Sequence, residues 1–222
     1  MTKSPEEHAA RFDEKAEEYD EGGSPEHEAC VDLVVGHARA ALDGDDVVLD
    51  LGTGTGAIAL RLAGDAGRVV GRDVSEGMLE QARRKATERD LENVTFDAGR
   101  FRAPNYDGEV DVVVSNFAMH HLADEEKRDA VEVIDDLDPD RFVLGDVMLF
   151  GAADPEGPCY DPSVDDPATV GVLADALTDA GYVVSAVELV HEQVGVLVAD
   201  RPELAAGADG VDVPDGDLPG ES

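Results

Sequence analysis

Short apolar runs alternate with amphipathic stretches over most of the chain. Val47-Val48-Leu49-Asp50-Leu51, residues 69–73, Val94-Thr95-Phe96, residues 111–115 and residues 141–147 read as strands. The fourth is apolar on both alternating faces, as a strand covered by helices on both sides should be. Between the strands, residues 57–63 read as helix. Ser75 can cap a second helix with Met78, Leu79, Ala82 and Ala86 inward. Asp124 opens a third, with Ala130, Val133, Ile134 and Leu137 inward, ending before Asp138-Pro139-Asp140. Val172, Leu173, Ala176, Leu177 and Ala180 form another apolar stripe that Gly181 closes. Residues 182–189 and 194–199 then read as two tightly joined strands, and the third and fourth strands are linked by residues 101–108 without a helix.

Two helices precede this alternation. Ser4-Pro5-Glu6-Glu7 is a helix start, with Ala9, Phe12, Ala16 and Tyr19 on one face. Ser24-Pro25 opens a second helix whose Cys30, Leu33, Val34, His37, Ala38 and Ala41 recur at helical spacing; Cys30 and His37 are read as packing residues on that stripe. Residues 1–44 are expected to form a lid of helices beside the ligand cleft, residues 45–200 the main domain, and residues 205–222, rich in glycine, proline and acid without apolar periodicity, a disordered tail.

The order strand, glycine turn, helix at residues 47–63 points to nucleotide-type binding. Gly52, Gly54 and Gly56 alternate with Thr53 and Thr55, which allows a tight turn and a close approach of ligand to backbone, with N–H groups aimed into the turn. Gly52-x-Gly54-x-x-Ala57 also fits the dinucleotide fingerprint. Two acids narrow the choice. Asp73 ends the second strand, where its carboxylate can accept both ribose hydroxyls. Asp50 puts negative charge beside the turn, which suits an ammonium or sulfonium better than a pyrophosphate. Residues 50–56 resemble the first motif of the class I S-adenosylmethionine (SAM)-dependent methyltransferases. Asn116-Phe117-Ala118-Met119-His120-His121-Leu122 is similar to the fourth motif of the family's small-molecule members.

The resemblance implies an α/β, Rossmann-like, doubly wound seven-stranded sheet, mostly parallel, ending in the antiparallel hairpin read above. It implies SAM as cofactor. Gly52, Thr53, Gly54 and Gly56 would cradle the methionine part, Asp50 would oppose its amino group, and Asp73 would hold the ribose. Val74 and Met78 would border the adenine, Met78 being equally readable as a core residue, with Gly99 and Arg100 in the adenine motif and Asn116 at the end of the fourth strand. Tyr19 is either a cofactor contact from the lid or a packing residue. Arg100 stands where the family commonly has an acid. A guanidinium accepts no hydrogen bond, so Arg100 either stacks on the base, with Asp97 or a backbone carbonyl taking the adenine amino group, or faces solvent.

His121, His120 and Asp146 are the candidate bases, His121 first, with a loop-anchoring role as the other reading of His121. Adjacent histidines diverge on a regular strand or helix, so no metal site is expected. The function this implies is methyl transfer to a small-molecule acceptor. An NAD(P)-dependent oxidoreductase and a SAM-binding protein without transfer activity are the alternatives. The acceptor would be set by the N-terminal helices and by the loop of residues 151–167, which carries Cys159 and Tyr160.

Charge changes the picture of the surface rather than of the site. Fifty-two acidic against seventeen basic residues give a net charge of -35. Spread along the chain, the acid fits the solvated surface of a halophile better than a patch for a basic partner. No basic run or basic-aromatic cluster favours nucleic acid, and no apolar run is long enough to span a bilayer. With two isolated cysteines and no leader-like start, a cytoplasmic protein is expected; the pattern says nothing of oligomeric state.

Overall fold

The computed structural model describes residues 5–151 and 160–202. Ser4, Cys159 and the 205–222 tail lie outside the described residues. The helices are α1 (Pro5–Lys15), α2 (Pro25–Arg39), α3 (Ala59–Leu62), α4 (Glu76–Glu88), α5 (Asp124–Asp135) and α6 (Val170–Asp179). The strands are β1 (Val47–Leu51), β2 (Arg68–Asp73), β3 (Val94–Ala98), β4 (Val112–Asn116), β5 (Arg141–Val147), β6 (Val183–His191) and β7 (Val194–Asp200). They form one sheet in the order β3-β2-β1-β4-β5-β7-β6. The first five strands are parallel, and β7 runs antiparallel to both β5 and β6. This is the Rossmann-like methyltransferase architecture expected from the sequence. A dinucleotide fold with strand order 3-2-1-4-5-6 lacks the strand inserted between its last two.

The alternation along the buried strands sends side chains into two cores. Val48, Val69, Val114 and Val143 pack on one face, beneath α2, α3 and α4. Leu49, Val70, Val113 and Phe142 pack on the other, beneath α5 and α6. Fully burying one such side chain stabilises the fold by about 1.5–3 kcal/mol, so both layers are strongly held and the strand ends between them are rigid supports.

The N-terminal helices divide in a way periodicity did not reveal. In α2, Cys30, Val31, Val34, Val35 and Ala38 are buried against the sheet, with Ser24 capping through His27 N–H at 3.1 Å. The expected lid over residues 1–44 is therefore corrected: α2 is a sheet-covering helix. His37, half-buried, pairs with the Glu188 carboxylate. α1 and the 3₁₀ turn Tyr19–Gly22 reach over the cleft, while α2 adds only its N-terminal residues Ser24, His27 and Glu28 to the wall of an adjoining arm. Asp13 ties α1 down by accepting from Ser75 Oγ at 2.6 Å and Gly77 N at 2.9 Å, at the start of α4.

Ser75 caps α4 as expected, accepting from Met78 N at 3.2 Å. The helix expected over residues 57–63 is only the short α3, because residues 54–58 stay in turns. In α5, Val131 and the unforeseen Lys127 are buried while Val133 is half-buried. No helix among the described residues is long and apolar enough to cross a membrane.

Candidate active site

A cleft opens at the carboxyl ends of β1, β2, β3 and β4, where open α/β sheets take their ligands. Its wall includes Gly52 and Gly54 after β1, Asp73 and Val74 after β2, Met78 from α4, Gly99, Arg100 and Phe101 after β3, and Asn116 and Phe117 after β4. Asp50, Gly52, Thr53, Gly54 and Asn116 also line the adjoining arm beneath the Tyr19–Gly22 turn. A separate chamber lined by Arg11, Phe12, Tyr19, Phe117, His120, His121, Tyr160, Asp161 and Asp165 joins it. Tyr19 and Phe117 border all three spaces, and Phe12 and His121 separate the chamber from the cleft.

The glycine turn is built for close approach. Gly52 has φ +73, and a Cβ there would lie 2.4 Å from that of Ala118. Its N–H groups do not point into the turn as the sequence suggested. Gly52 N and Thr53 N both donate to Arg72 O, at 2.8 and 3.0 Å, Gly54 N to Asp73 Oδ2 at 2.8 Å, and Gly56 N to Thr53 O at 2.9 Å. Gly56, expected in the cradle, lies behind it, its Cα facing Leu60 and Phe96. Phe117 holds φ +51, a costly conformation for a bulky residue, and its N–H is fixed on Gly145 O at 2.9 Å.

Asp50 is buried beneath the turn, with Oδ2 accepting from Thr53 Oγ1 at 2.7 Å and from Ala59 N at 3.3 Å. Burial pushes its carboxyl up to about 7 against those two hydrogen bonds, and nearby Asp73 adds to the rise. Asp73 also sits above the usual carboxylate range, because of its burial, although Ser75 N and Gly54 N donate to its two oxygens. Each oxygen keeps a lone pair to offer a hydroxyl. Tyr19 is raised too, by burial first and then by Asp73 and Asp20. Asn116 Oδ1 is enclosed without a donor among the described residues.

Val74, Met78, Gly99 and Arg100 are brought together on one side, with Phe101, Arg102, Leu122 and Glu126 that the sequence did not flag. Arg100 is exposed. Asp97 is corrected: its carboxylate is 66% exposed, faces Arg72 Nη1 at 3.4 Å and is absent from the cleft wall. Arg72 is buried and also donates to Pro104 O at 2.9 Å and Asn105 O at 3.3 Å, which pins the β3–β4 link beside the cleft. Glu126 is occupied by Arg102 at 2.7 Å and Ala123 N at 3.1 Å.

His120 and His121 lie in a 3₁₀ turn (Met119–His121), and there the expectation that their rings diverge fails: the centroids are 4.1 Å apart. Each imidazole has its own carboxylate. His120 Nδ1 meets Asp146 Oδ1 at 2.5 Å, and His121 Nδ1 meets Asp165 Oδ1 at 2.7 Å. Asp146 is corrected as a base: it is buried behind His120, outside the cleft, and also accepts from His120 N at 2.9 Å and Val147 N at 2.7 Å. His120 reaches only the chamber, whereas His121 stands between chamber and cleft. Burial, and beyond it the neighbouring His120, holds His121 below the ordinary imidazole range despite Asp165, so it is neutral near pH 7. His120, His121 and Asp165 present ligand atoms within 4.8 Å of one another, a geometry that could hold a cation.

Asp165 belongs to the loop of residues 151–167, which the sequence tied to the acceptor without singling out this residue. Asp166 N donates to His120 O at 2.8 Å, and buried Lys127 bridges Leu122 O and Asp166 O, both at 2.5 Å. Residues 160–166 are thereby fastened over the histidines.

Comparison with known proteins agrees with this architecture. Residues 48–137 match the family described as "Methyltransferase domain". An uncharacterised methyltransferase of Oceanobacillus iheyensis is 36% identical over 107 residues, covering 47% of this chain and 48% of the relative. One from a Geobacillus species is 32% identical over 145 residues, covering 65% and 63%. The chain thus spans about half to under two-thirds of the length of these relatives. Magnesium protoporphyrin IX methyltransferase of Synechocystis, solved with bound SAM, superposes with a TM-score of 0.65 over 79% of this chain and 80% of that one. At 23% identity that likeness speaks for the fold. Motif, sheet order and the match over residues 48–137 together make this chain similar to the class I SAM-dependent methyltransferases, whose fold it shares.

Proposed function

We propose that the protein binds SAM in the cleft and transfers its methyl group to a small-molecule acceptor in the adjoining chamber. The observation that carries this is the pairing of the two acids around the glycine turn. Asp73, with a free lone pair on each oxygen, stands where a ribose diol would lie. Asp50 and the unpaired Asn116 Oδ1 offer two acceptors to an ammonium. A pyrophosphate in the same place would face two carboxylates and a turn whose N–H groups at Gly52, Thr53, Gly54 and Gly56 already donate within the protein.

In this reading Gly52 and Gly54 let the methionine part lie against the backbone, Thr53 holds Asp50 in place, and Tyr19 closes the cleft from above. Val74, Met78, Gly99 and Arg100 border the adenine, with Phe101 beneath. SAM supplies a methyl group on a sulfonium, open to in-line displacement. The protein's share is positioning and exclusion of water, which together account for most of the rate in such displacements. Where the acceptor atom carries a proton, His121 Nε2 receives it. Asp165 fixes the ring through Nδ1, and the low imidazole pKa keeps the lone pair available. His120, locked by Asp146, is the buttress behind that ring.

The test is release of S-adenosylhomocysteine (SAH) and a methylated product from labelled SAM in a small-molecule extract. Activity should fall by at least about tenfold in His121→Asn while SAH affinity is unchanged. Tight SAH binding without transfer to any fraction would instead favour a binding protein that does no chemistry.

A further inference from the structure

The chamber beyond His121 has a charge pattern that the proposed methyl transfer does not use. Its walls are aromatic: Phe12, Tyr19, Phe117 and Tyr160. The two acids on its rim are already engaged. Asp165 accepts from His121 Nδ1 on one oxygen and from Asp161 N at 2.8 Å on the other. Asp161 Oδ1 accepts from Ser163 N at 3.0 Å and Ser163 Oγ at 2.6 Å. Both carboxyls are held below their ordinary range, Asp165 against its burial by His121 and the Asp161 N–H, and Asp161 chiefly by Ser163 and further by Arg11.

The chamber's guanidinium is in the opposite condition. Arg11 Nη1 is enclosed and has no hydrogen-bond partner among the described residues, and Nη2 makes a long ion pair, 3.7 Å, with Asp161 Oδ2. A guanidinium carries five N–H donors in a fork matched to a carboxylate or phosphate. An enclosed, charged donor without an acceptor is costly and uncommon, and in a protein of net charge -35 acceptors abound. That this one is left open, on the helix that forms the lid and beside the proposed base, points to an acceptor delivered from outside.

We propose that the methyl acceptor is a small molecule with an anionic head group, a carboxylate or a phosphate or phosphonate, seated on Arg11. Its apolar body would lie among Phe12, Phe117 and Tyr160, with the nucleophilic atom toward His121. This rests on the reading of the cleft as the SAM site. The anion also accounts for α1 crossing the chamber. Ordering the Arg11 side chain against the substrate draws the helix that carries Phe12 onto it, which shields the transfer from water.

The test compares matched acid and amide probes in the presence of saturating SAH. The pairs are 4-hydroxybenzoate and 4-hydroxybenzamide, 3-phenyllactate and its amide, and phenylphosphonate and its diethyl ester. Binding is read by calorimetry and by SAH-dependent thermal shift. At least one acid should bind tenfold or more tightly than its neutral counterpart. Arg11→Gln should abolish that preference without altering SAH affinity, and Arg11→Lys should restore part of it. Equal binding of acids and amides, no binding of any acid, or a preference that survives Arg11→Gln would overturn the inference. Failure of SAH itself to bind the wild-type protein would instead sink the reading of the cleft.

Discussion

Replacing Asp50 with asparagine should make the ligand-free protein more stable above neutral pH, although it removes a residue at the centre of the site. The carboxyl is buried, and its pKa rises from 3.8 to about 7 mainly for that reason. Between those values the native protein keeps a proton that the unfolded chain has lost. Asp50's contribution to stability is therefore full below about pH 4 and is lost as pH rises through about 7. At about 1.4 kcal/mol per unit of pKa, holding it ionised costs on the order of 4 kcal/mol. An amide of the same shape still accepts from Thr53 Oγ1 and Ala59 N and has no charge to desolvate. Urea denaturation of both proteins from about pH 5 to about pH 9, at constant high salt, isolates the effect. The difference, variant minus wild type, should climb toward neutrality and level off above about pH 8. SAH, with its ammonium beside Asp50, should narrow the gap. A difference that stays flat across that range would show that burial does not hold the carboxyl protonated near neutrality in the ligand-free protein.

Other outcomes are expected from single contacts. Gly52→Ala should destabilise the protein by about 1–3 kcal/mol, because the new Cβ meets Ala118 at 2.4 Å in a left-handed backbone; an unchanged melting temperature would contradict this. Lys127→Met should cost about 1–3 kcal/mol by stranding Leu122 O and Asp166 O. It should also raise amide exchange in residues 160–166, and exchange as slow as wild type would refute the tether. Molar salt should raise the melting temperature, since at net charge -35 screening relieves repulsion over a Debye length of about 3 Å. A melting temperature indifferent to salt would show the acidic surface to be without energetic consequence.

The sheet was legible in the sequence because buried parallel strands are apolar on both faces, and because the glycine turn and Asp73 mark the ends of the first two. The hairpin of β6 and β7 followed from two strands with a short joint. Less of the site could be read. The amphipathic stripes of α1 and α2 look alike, and nothing local says that α2 meets the sheet while α1 meets the cleft. The histidine rings converge because Phe117, at φ +51, turns the chain into a 3₁₀ turn, where the periodicities of strand and helix do not apply. Arg11 and Asp165 come to the chamber from opposite ends of the chain, and Lys127 ties down the segment that brings Asp165 there. Asp97, one of two acceptors considered for the adenine amino group, instead faces Arg72, which reads in the sequence as an ordinary strand residue.

Calorimetric titration of the purified chain with SAH and, separately, with NAD(H) and NADP(H) tests the assignment most directly. The account predicts one-to-one SAH binding, no binding of either nicotinamide nucleotide, and a loss of about 1–3 kcal/mol of SAH affinity in Asp73→Ala. A cleft that takes a nicotinamide nucleotide and ignores SAH, or an Asp73→Ala variant that binds SAH as tightly as wild type, would contradict it.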